Sequence, residues 1–249
     1  MLAVIGGSGL NQISHFTITE QTQPDTPFGQ SAIVRRGQFE NQSHEVLFMP
    51  RHGEGHNLPP HLINYRANLW ALKERGASTI LGVNAVGGIR ADMEPGTIVI
   101  PDQLIDYTYG RDHTFFTGDS TGVQHIDFTR PFHEHWRQQI ITAAAKEDIA
   151  VITEGTYACS QGPRLETAAE IQKLKRDGCD VVGMTGMPEA ALARELDLKY
   201  CALNLVVNWG AGLSAEVITM EMIAQVLTVG MVPVTKIIQA ASQEFGAEG

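Results

Sequence analysis

Four short stretches carry residue types that could hold an oxyanion: Ser8 in Gly6-Gly7-Ser8-Gly9-Leu10, Arg51-His52 in Pro50-Arg51-His52-Gly53-Glu54-Gly55-His56, Asn84-Ala85 in Asn84-Ala85-Val86-Gly87-Gly88, and Met184-Thr185. Each follows an apolar run that reads as a buried strand. Backbone amides and hydroxyls in small loops can cradle an anion, and an arginine can grip one in bidentate fashion. Nothing in these stretches pairs a nucleophile with a base in the manner of Ser-His-Asp. The combination suggests phosphate as the attacking group and a substrate that cleaves once oriented. The alternatives are tight turns at Gly6–Leu10 and a surface loop at Pro50–His56. A metal site built on His52, His56 and His61 is opposed by Pro59-Pro60, which keeps one helix from presenting all three.

Those stretches need a frame. Apolar runs at Leu2–Ile5, Thr79–Val83, Thr97–Ile100, Ala150–Glu154, Val181–Gly183 and Tyr200–Val207 read as strands, and 15–49 reads as an antiparallel hairpin region. Helices are expected over His61–Arg75, Phe132–Lys146, after Gln161–Thr167, from Pro188-Glu189 and from Thr219 to Phe245, the last with Gly230 and Pro233 as possible breaks. Strands alternating with helices imply βαβ wiring and a largely parallel sheet, with the four junctions gathered along one edge. Asp102–Phe132 is irregular and rich in aromatics and histidine, which suits a lid or an interface as well as a plain surface loop. No composition break divides the 249 residues, so one domain over 1–249 is expected.

Bulk properties narrow the function class. A net charge of −10 disfavours nucleic acid and anionic membranes as partners. Cys159, Cys179 and Cys201 lack C-x-x-C spacing and sit in apolar surroundings, as reduced thiols of a cytoplasmic protein would. The N-terminus reads as a strand and not as a signal peptide, and no apolar run suggests a membrane span.

Several segments together resemble the purine nucleoside phosphorylase family in its methylthioadenosine phosphorylase branch. They are Gly6–Leu10, Pro50–Gly53, Pro60-His61-Leu62-Ile63-Asn64-Tyr65-Arg66-Ala67-Asn68, Asp102–Asp106, Gly162-Pro163-Arg164-Leu165-Glu166-Thr167 and Gly183-Met184-Thr185-Gly186-Met187-Pro188-Glu189. The resemblance implies a single-domain α/β fold with a mixed, mostly parallel sheet flanked by helices. It also implies a homotrimer that cleaves a methylthio-nucleoside with inorganic phosphate as co-substrate, without metal or organic cofactor. By the same carry-over Ser8, Arg51, His52, Asn84, Ala85 and Thr185 hold phosphate, although Asn84 stands where the branch carries Thr. Met184 and Leu165 contact the nucleoside, and His125 reaches a neighbouring subunit's site.

One departure from the branch is informative. Adenine-specific members carry Asp-x-Asp after the late strand, whereas this chain has Asn208-Trp209-Gly210. An amide offers both a donor and an acceptor, which suits O6 and N7 of a 6-oxopurine, and Glu166 can accept the N1–H that hypoxanthine has and adenine lacks. Asn208 and Glu166 are therefore the expected catalytic pair, with Gly210 beside the base; a turn role for Asn208 is the plainer alternative. Met220 and Ile223 on the last helix are apolar and by position would line the 5′ end, though such spacing also occurs in plain core. The expected reaction is phosphorolysis of 5′-methylthioinosine to hypoxanthine and a methylthioribose 1-phosphate. Methylthioadenosine and inosine or guanosine phosphorylases are the near alternatives, and a hydrolytic nucleosidase or a nucleoside-binding protein the distant ones.

Overall fold

Alternating apolar runs and glycine or proline turns build a ten-stranded sheet with helices on both faces. The computed structural model describes residues 1–10, 13, 15–118 and 122–247. The first half contains β1 (Leu2–Gly6), β2 (Phe16–Thr22), β3 (Asp25–Thr26), β4 (Gly29–Gln30), β5 (Val34–Phe39), β6 (Val46–Pro50), α1 (Tyr65–Glu74) and β7 (Thr79–Gly88). Then come β8 (Ile98–Val99), β9 (Gln103–Asp106), α2 (Glu134–Lys146), β10 (Thr156–Cys159) and α3 (Ala168–Arg176). The chain ends with β11 (Val181–Gly183), α4 (Gly186–Glu195), β12 (Lys199–Trp209) and α5 (Met220–Ala247).

The sheet is two parallel blocks joined head to head. β6, β1, β7 and β12 run parallel, as do β9, β10 and β11. The blocks meet where β11 pairs antiparallel with the end of β7, Val181 opposite Gly88 and Val182 opposite Gly87. The expectation of junctions along one parallel edge is corrected accordingly: strand ends approach the middle of the sheet from opposite directions. β12 accompanies β7 along its whole length, but β1 pairs only with Thr79–Gly82 on the other edge. Between the ends of β1 and β11, residues 83–86 of β7 have no strand beside them on that edge among the described residues.

Successive strand residues face opposite sides, so each buried strand supplies both cores. Ala3, Ile5, Leu47 and Met49 pack with Leu69 and Leu72 of α1 and Leu192 and Ala193 of α4. Leu2, Val4, Phe48, Leu81 and Leu203 pack with Trp136 and Ile140 of α2 and Val234, Ile237 and Ile238 of α5.

Several boundaries move. The expected helix from His61 begins at Tyr65, because Asn64 Oδ1 caps it by accepting from Ala67 N at 3.1 Å after a 3-10 turn at Pro60–Leu62. The expected loop at Asn84–Gly88 is strand, held by β12. At 150–154 only the isolated bridge of Ile152 to Val99 forms, and the strand comes later, at Thr156–Cys159. Residues 103–106 of the irregular region are strand. α5 passes through Gly230 and Pro233 without ending, and over Met220–Glu244 it is long and apolar enough to cross a membrane by length and composition. Val234, Ile237, Ile238 and Ala241 nevertheless face the sheet and are fully buried. The three cysteines are buried and unbridged.

Candidate active site

The break in the sheet is filled on one side by Arg51. Its guanidinium is fully buried: Nη1 donates to Val83 O of the open β7 edge at 2.8 Å, and Nη2 donates to Ile5 O at 3.3 Å. Glycine is required at position 7, where a Cβ would lie 2.8 Å from Arg51 Nη1 and 2.9 Å from Val83 O. The expected bidentate grip of Arg51 on an anion is taken instead by Glu189, through Nε at 2.8 Å and Nη2 at 2.9 Å. Tyr200 also donates to Glu189 Oε2 at 2.8 Å. Burial alone would lower the arginine's pKa, but the adjacent carboxylate raises it, so Arg51 stays charged. One Nη1 proton lies outside these bonds.

The rest of the gap is a cavity of about 620 Å³. Gly88 O accepts from Gly210 N on the β12 side, so by strand alternation the N–H and C=O of Ala85 face the gap. Ser8, Arg51, His52, Asn84, Ala85 and Thr185 all line it. Thr185 donates its hydroxyl to Asn84 Oδ1 at 3.0 Å, and Asn84 Nδ2 donates to Asn204 Oδ1 at 2.8 Å. His52 Nδ1 lies 2.8 Å from Leu58 O; a carbonyl only accepts, so that nitrogen carries the proton. Burial, with help from the Arg51 and His56 charges, pushes the His52 pKa down to about 4, and the ring is neutral at pH 7. His56 stacks on it with centroids 4.3 Å apart and places Nε2 3.4 Å from Ser8 Oγ.

The other end of the cavity carries Glu166 and Asn208. Ser160 donates its hydroxyl to Glu166 Oε1 at 2.6 Å, which leaves Oε2 for a ligand. Asn208 Nδ2 donates to Trp209 O at 2.7 Å, which leaves its second proton and Oδ1. A register shift between Val206 and Asn208 interrupts the alternation of β12, and both Val207 and Asn208 face the cavity. Gly210, expected beside a base, is buried with its N–H on Gly88 O and is not part of the cavity lining. Met184 and Leu165 form part of the wall, and Met220, Ile223 and Leu227 close the α5 side. Ile223 is 9% exposed but Met220 is 70% exposed. His125 is exposed and outside the cavity of its own chain.

Several structural contributors carried no sequence signal strong enough to single them out. Glu189 was legible only as an acidic residue opening α4. Ser160 gave no motif. Arg111, from the irregular region, is buried and donates to Met184 O at 2.8 Å, Met187 O at 2.6 Å and Gln161 O at 2.8 Å. It thereby ties the Thr185 loop to the Glu166 loop. Tyr157 OH accepts from the Thr185 and Gly186 amides at 3.3 and 3.2 Å and fixes the same turn.

A mixed sheet of two converging blocks thus carries an apolar-walled cavity with polar junctions at its break. The chain belongs to the Phosphorylase superfamily, whose sequence profile matches residues 1–241. It is 54% identical over 92% of its length to a probable S-methyl-5′-thioinosine phosphorylase of Pseudomonas syringae pv. tomato, covering 93% of that protein. A probable 6-oxopurine nucleoside phosphorylase of Thermococcus kodakarensis is 45% identical over 90% of this chain and 86% of its own. Among solved structures, methylthioadenosine phosphorylase from Schistosoma mansoni in complex with adenine superposes with a TM-score of 0.94. That match is at 33% identity and covers all of this chain and 92% of the other.

Proposed function

We propose that this protein cleaves S-methyl-5′-thioinosine with inorganic phosphate, giving hypoxanthine and 5-methylthioribose 1-phosphate. The observation that carries the reading is the pairing of Asn208 and Glu166 on one cavity with the Ser8, Ala85 and Thr185 wall. Glu166 Oε2 accepts N1–H of hypoxanthine; adenine would present a lone pair to the same oxygen. Asn208 donates its second amide proton to O6, and its Oδ1 accepts from N7–H once the departing purine takes up a proton there. A mismatch at either group leaves a buried polar atom unpaired, at about 1–3 kcal/mol each.

In the proposed reaction the C1′–N9 bond breaks first and its electron pair passes into the purine ring. The purine's developing charge is met by Asn208, and the positive ribosyl centre by phosphate below it. A phosphate oxygen then bonds C1′, and the proton of hydrogen phosphate passes to the departing purine, leaving neutral hypoxanthine and the sugar 1-phosphate dianion. Phosphate is held by the Ala85 N–H, the Ser8 and Thr185 hydroxyls and the remaining Arg51 Nη1 proton. No metal or organic cofactor enters this chemistry. Ile223, Leu227 and Met220 receive the methylthio group. Three copies associate in the proposed assembly, with exposed His125 of one completing the 5′ side of the next, and the protein works in the cytoplasm.

The openness of the cavity at Met220 favours a second reading, in which a 5′-hydroxyl is accepted and inosine is the substrate. The names of the Pseudomonas and Thermococcus relatives support the two readings respectively. Phosphorolysis itself is tested by following products with 31P NMR and chromatography. Hypoxanthine and a sugar 1-phosphate should appear one for one. Free methylthioribose formed in phosphate-free buffer would identify a hydrolase and overturn the proposal.

A further inference from the structure

Asn204 is fully buried on β12, and its Nδ2 has no hydrogen-bond partner among the described residues. Its other end accepts from Asn84 Nδ2 at 2.8 Å, and Asn84 Oδ1 accepts from the Thr185 hydroxyl at 3.0 Å. Asn204 and Asn84 are register partners on β12 and β7. The three side chains form a single row running from the core to the cavity wall.

Direction along this row decides what an anion meets. With both amides oriented this way, Thr185 commits its only proton to Asn84 and shows lone pairs to the cavity. The Asn84 protons point inward as well, to Asn204 and to Gly82 O at 3.4 Å. Such a wall repels phosphate. An amide's nitrogen and oxygen are nearly the same size, so turning both amides over preserves the heavy-atom distances. In the reversed row Asn204 Nδ2 donates to Asn84 Oδ1, Asn84 Nδ2 donates to Thr185 Oγ1, and the Thr185 proton is released toward the cavity. Reversal gives one of the two unpaired Asn204 Nδ2 protons an acceptor and leaves the Asn204 carbonyl oxygen without a donor, an orphan that folded proteins tolerate more readily than an orphan N–H. Its penalty is the long contact with Gly82 O, which becomes oxygen to oxygen.

We propose that Asn204 is a positioning residue for the anion site, forming with Asn84 a two-amide relay that turns the Thr185 hydroxyl toward bound phosphate. The relay rests on the phosphorolysis reading above. In Asn204→Val a reversed Asn84 would have no donor for its oxygen and would set it against Gly82 O, so its nitrogen stays on Gly82 O, its oxygen on Thr185, and the hydroxyl stays turned away.

The test compares steady-state kinetics of wild type and Asn204→Val with phosphate and S-methyl-5′-thioinosine varied in turn. The phosphate KM should rise roughly tenfold or more, as for loss of one hydrogen bond to a charged group, while the nucleoside KM changes less than about twofold. An unchanged phosphate KM, or equal rises in both constants, overturns the relay while phosphorolysis stands. Wild-type turnover without phosphate removes the phosphorolysis reading and the relay with it. Neutron diffraction from deuterium-exchanged wild-type crystals, with and without phosphate, decides the matter even if the variant does not fold. Both amides should reverse together when phosphate binds, and amides that keep one orientation in both crystals refute the relay.

Discussion

Arg51 and Glu189 meet through two charge-assisted hydrogen bonds at 2.8 and 2.9 Å, the arginine with no exposed surface and the glutamate with 1%. The conspicuous cation of the cavity wall is thus neutralised before any ligand arrives. Its guanidinium acts as a strut between β1, β7 and α4. Removing the carboxylate should strand a buried charge. Glu189→Gln is expected to lower the unfolding free energy by about 3–5 kcal/mol, read from urea denaturation. A loss under about 1 kcal/mol would mean that the pair is not enclosed as described.

Base selection is expected to follow the residue at position 208. Asn208→Asp replaces a group that donates and accepts with one that only accepts while ionised, so it should lower kcat/KM for S-methyl-5′-thioinosine by roughly tenfold to a hundredfold. The ratio of methylthioadenosine to methylthioinosine turnover should rise. An unchanged ratio would remove Asn208 from the account of specificity.

Ser160 holds Glu166 Oε1 at 2.6 Å and so aims the other oxygen. Ser160→Ala should leave Glu166 less ordered and reduce kcat/KM for 6-oxopurine nucleosides by roughly threefold to tenfold, with phosphate KM unaffected. Glu166→Gln should cost more, because Ser160 and N1–H then compete for a single acceptor oxygen. Equal effects on the phosphate KM would contradict this division of the cavity.

His52 should make stability fall with acid. Its native pKa is pushed down to about 4, from an ordinary value of 6.5, so between these values the unfolded chain binds a proton that the native protein refuses. The stabilisation is present above pH 6.5 and is lost as pH falls toward 4. From pH 7 to pH 5 the loss is roughly 2 kcal/mol. The burial of His56 acts in the same direction, so the measured quantity is the difference between wild type and His52→Gln. Parallel pH dependences for the two proteins would refute the assignment.

Much of this arrangement was legible in the chain itself, and the misses have physical causes. Apolar runs such as Leu2–Ile5 and Tyr200–Val207 read as buried strands and are, and the helix expected after Gln161–Thr167 begins at Ala168. Gly87-Gly88 read as a loop because glycine is a poor strand former, yet Val182 packs over that backbone and β12 holds it. The backbone partner of Gly210 was not legible, since its N–H is held by Gly88 O, which is distant in sequence. Arg51 gave no hint of its partner, since Glu189 lies 138 residues away. The antiparallel meeting of β7 and β11 was equally hidden, for it depends on how two separately parallel blocks dock.

The most direct measurement is kcat/KM for S-methyl-5′-thioinosine, S-methyl-5′-thioadenosine and inosine, each with and without phosphate. Turnover should require phosphate and should be fastest with S-methyl-5′-thioinosine, since only that nucleoside satisfies Asn208, Glu166 and the apolar 5′ wall together. Adenine released at a comparable rate, or inosine cleaved faster than its methylthio counterpart, would contradict the account.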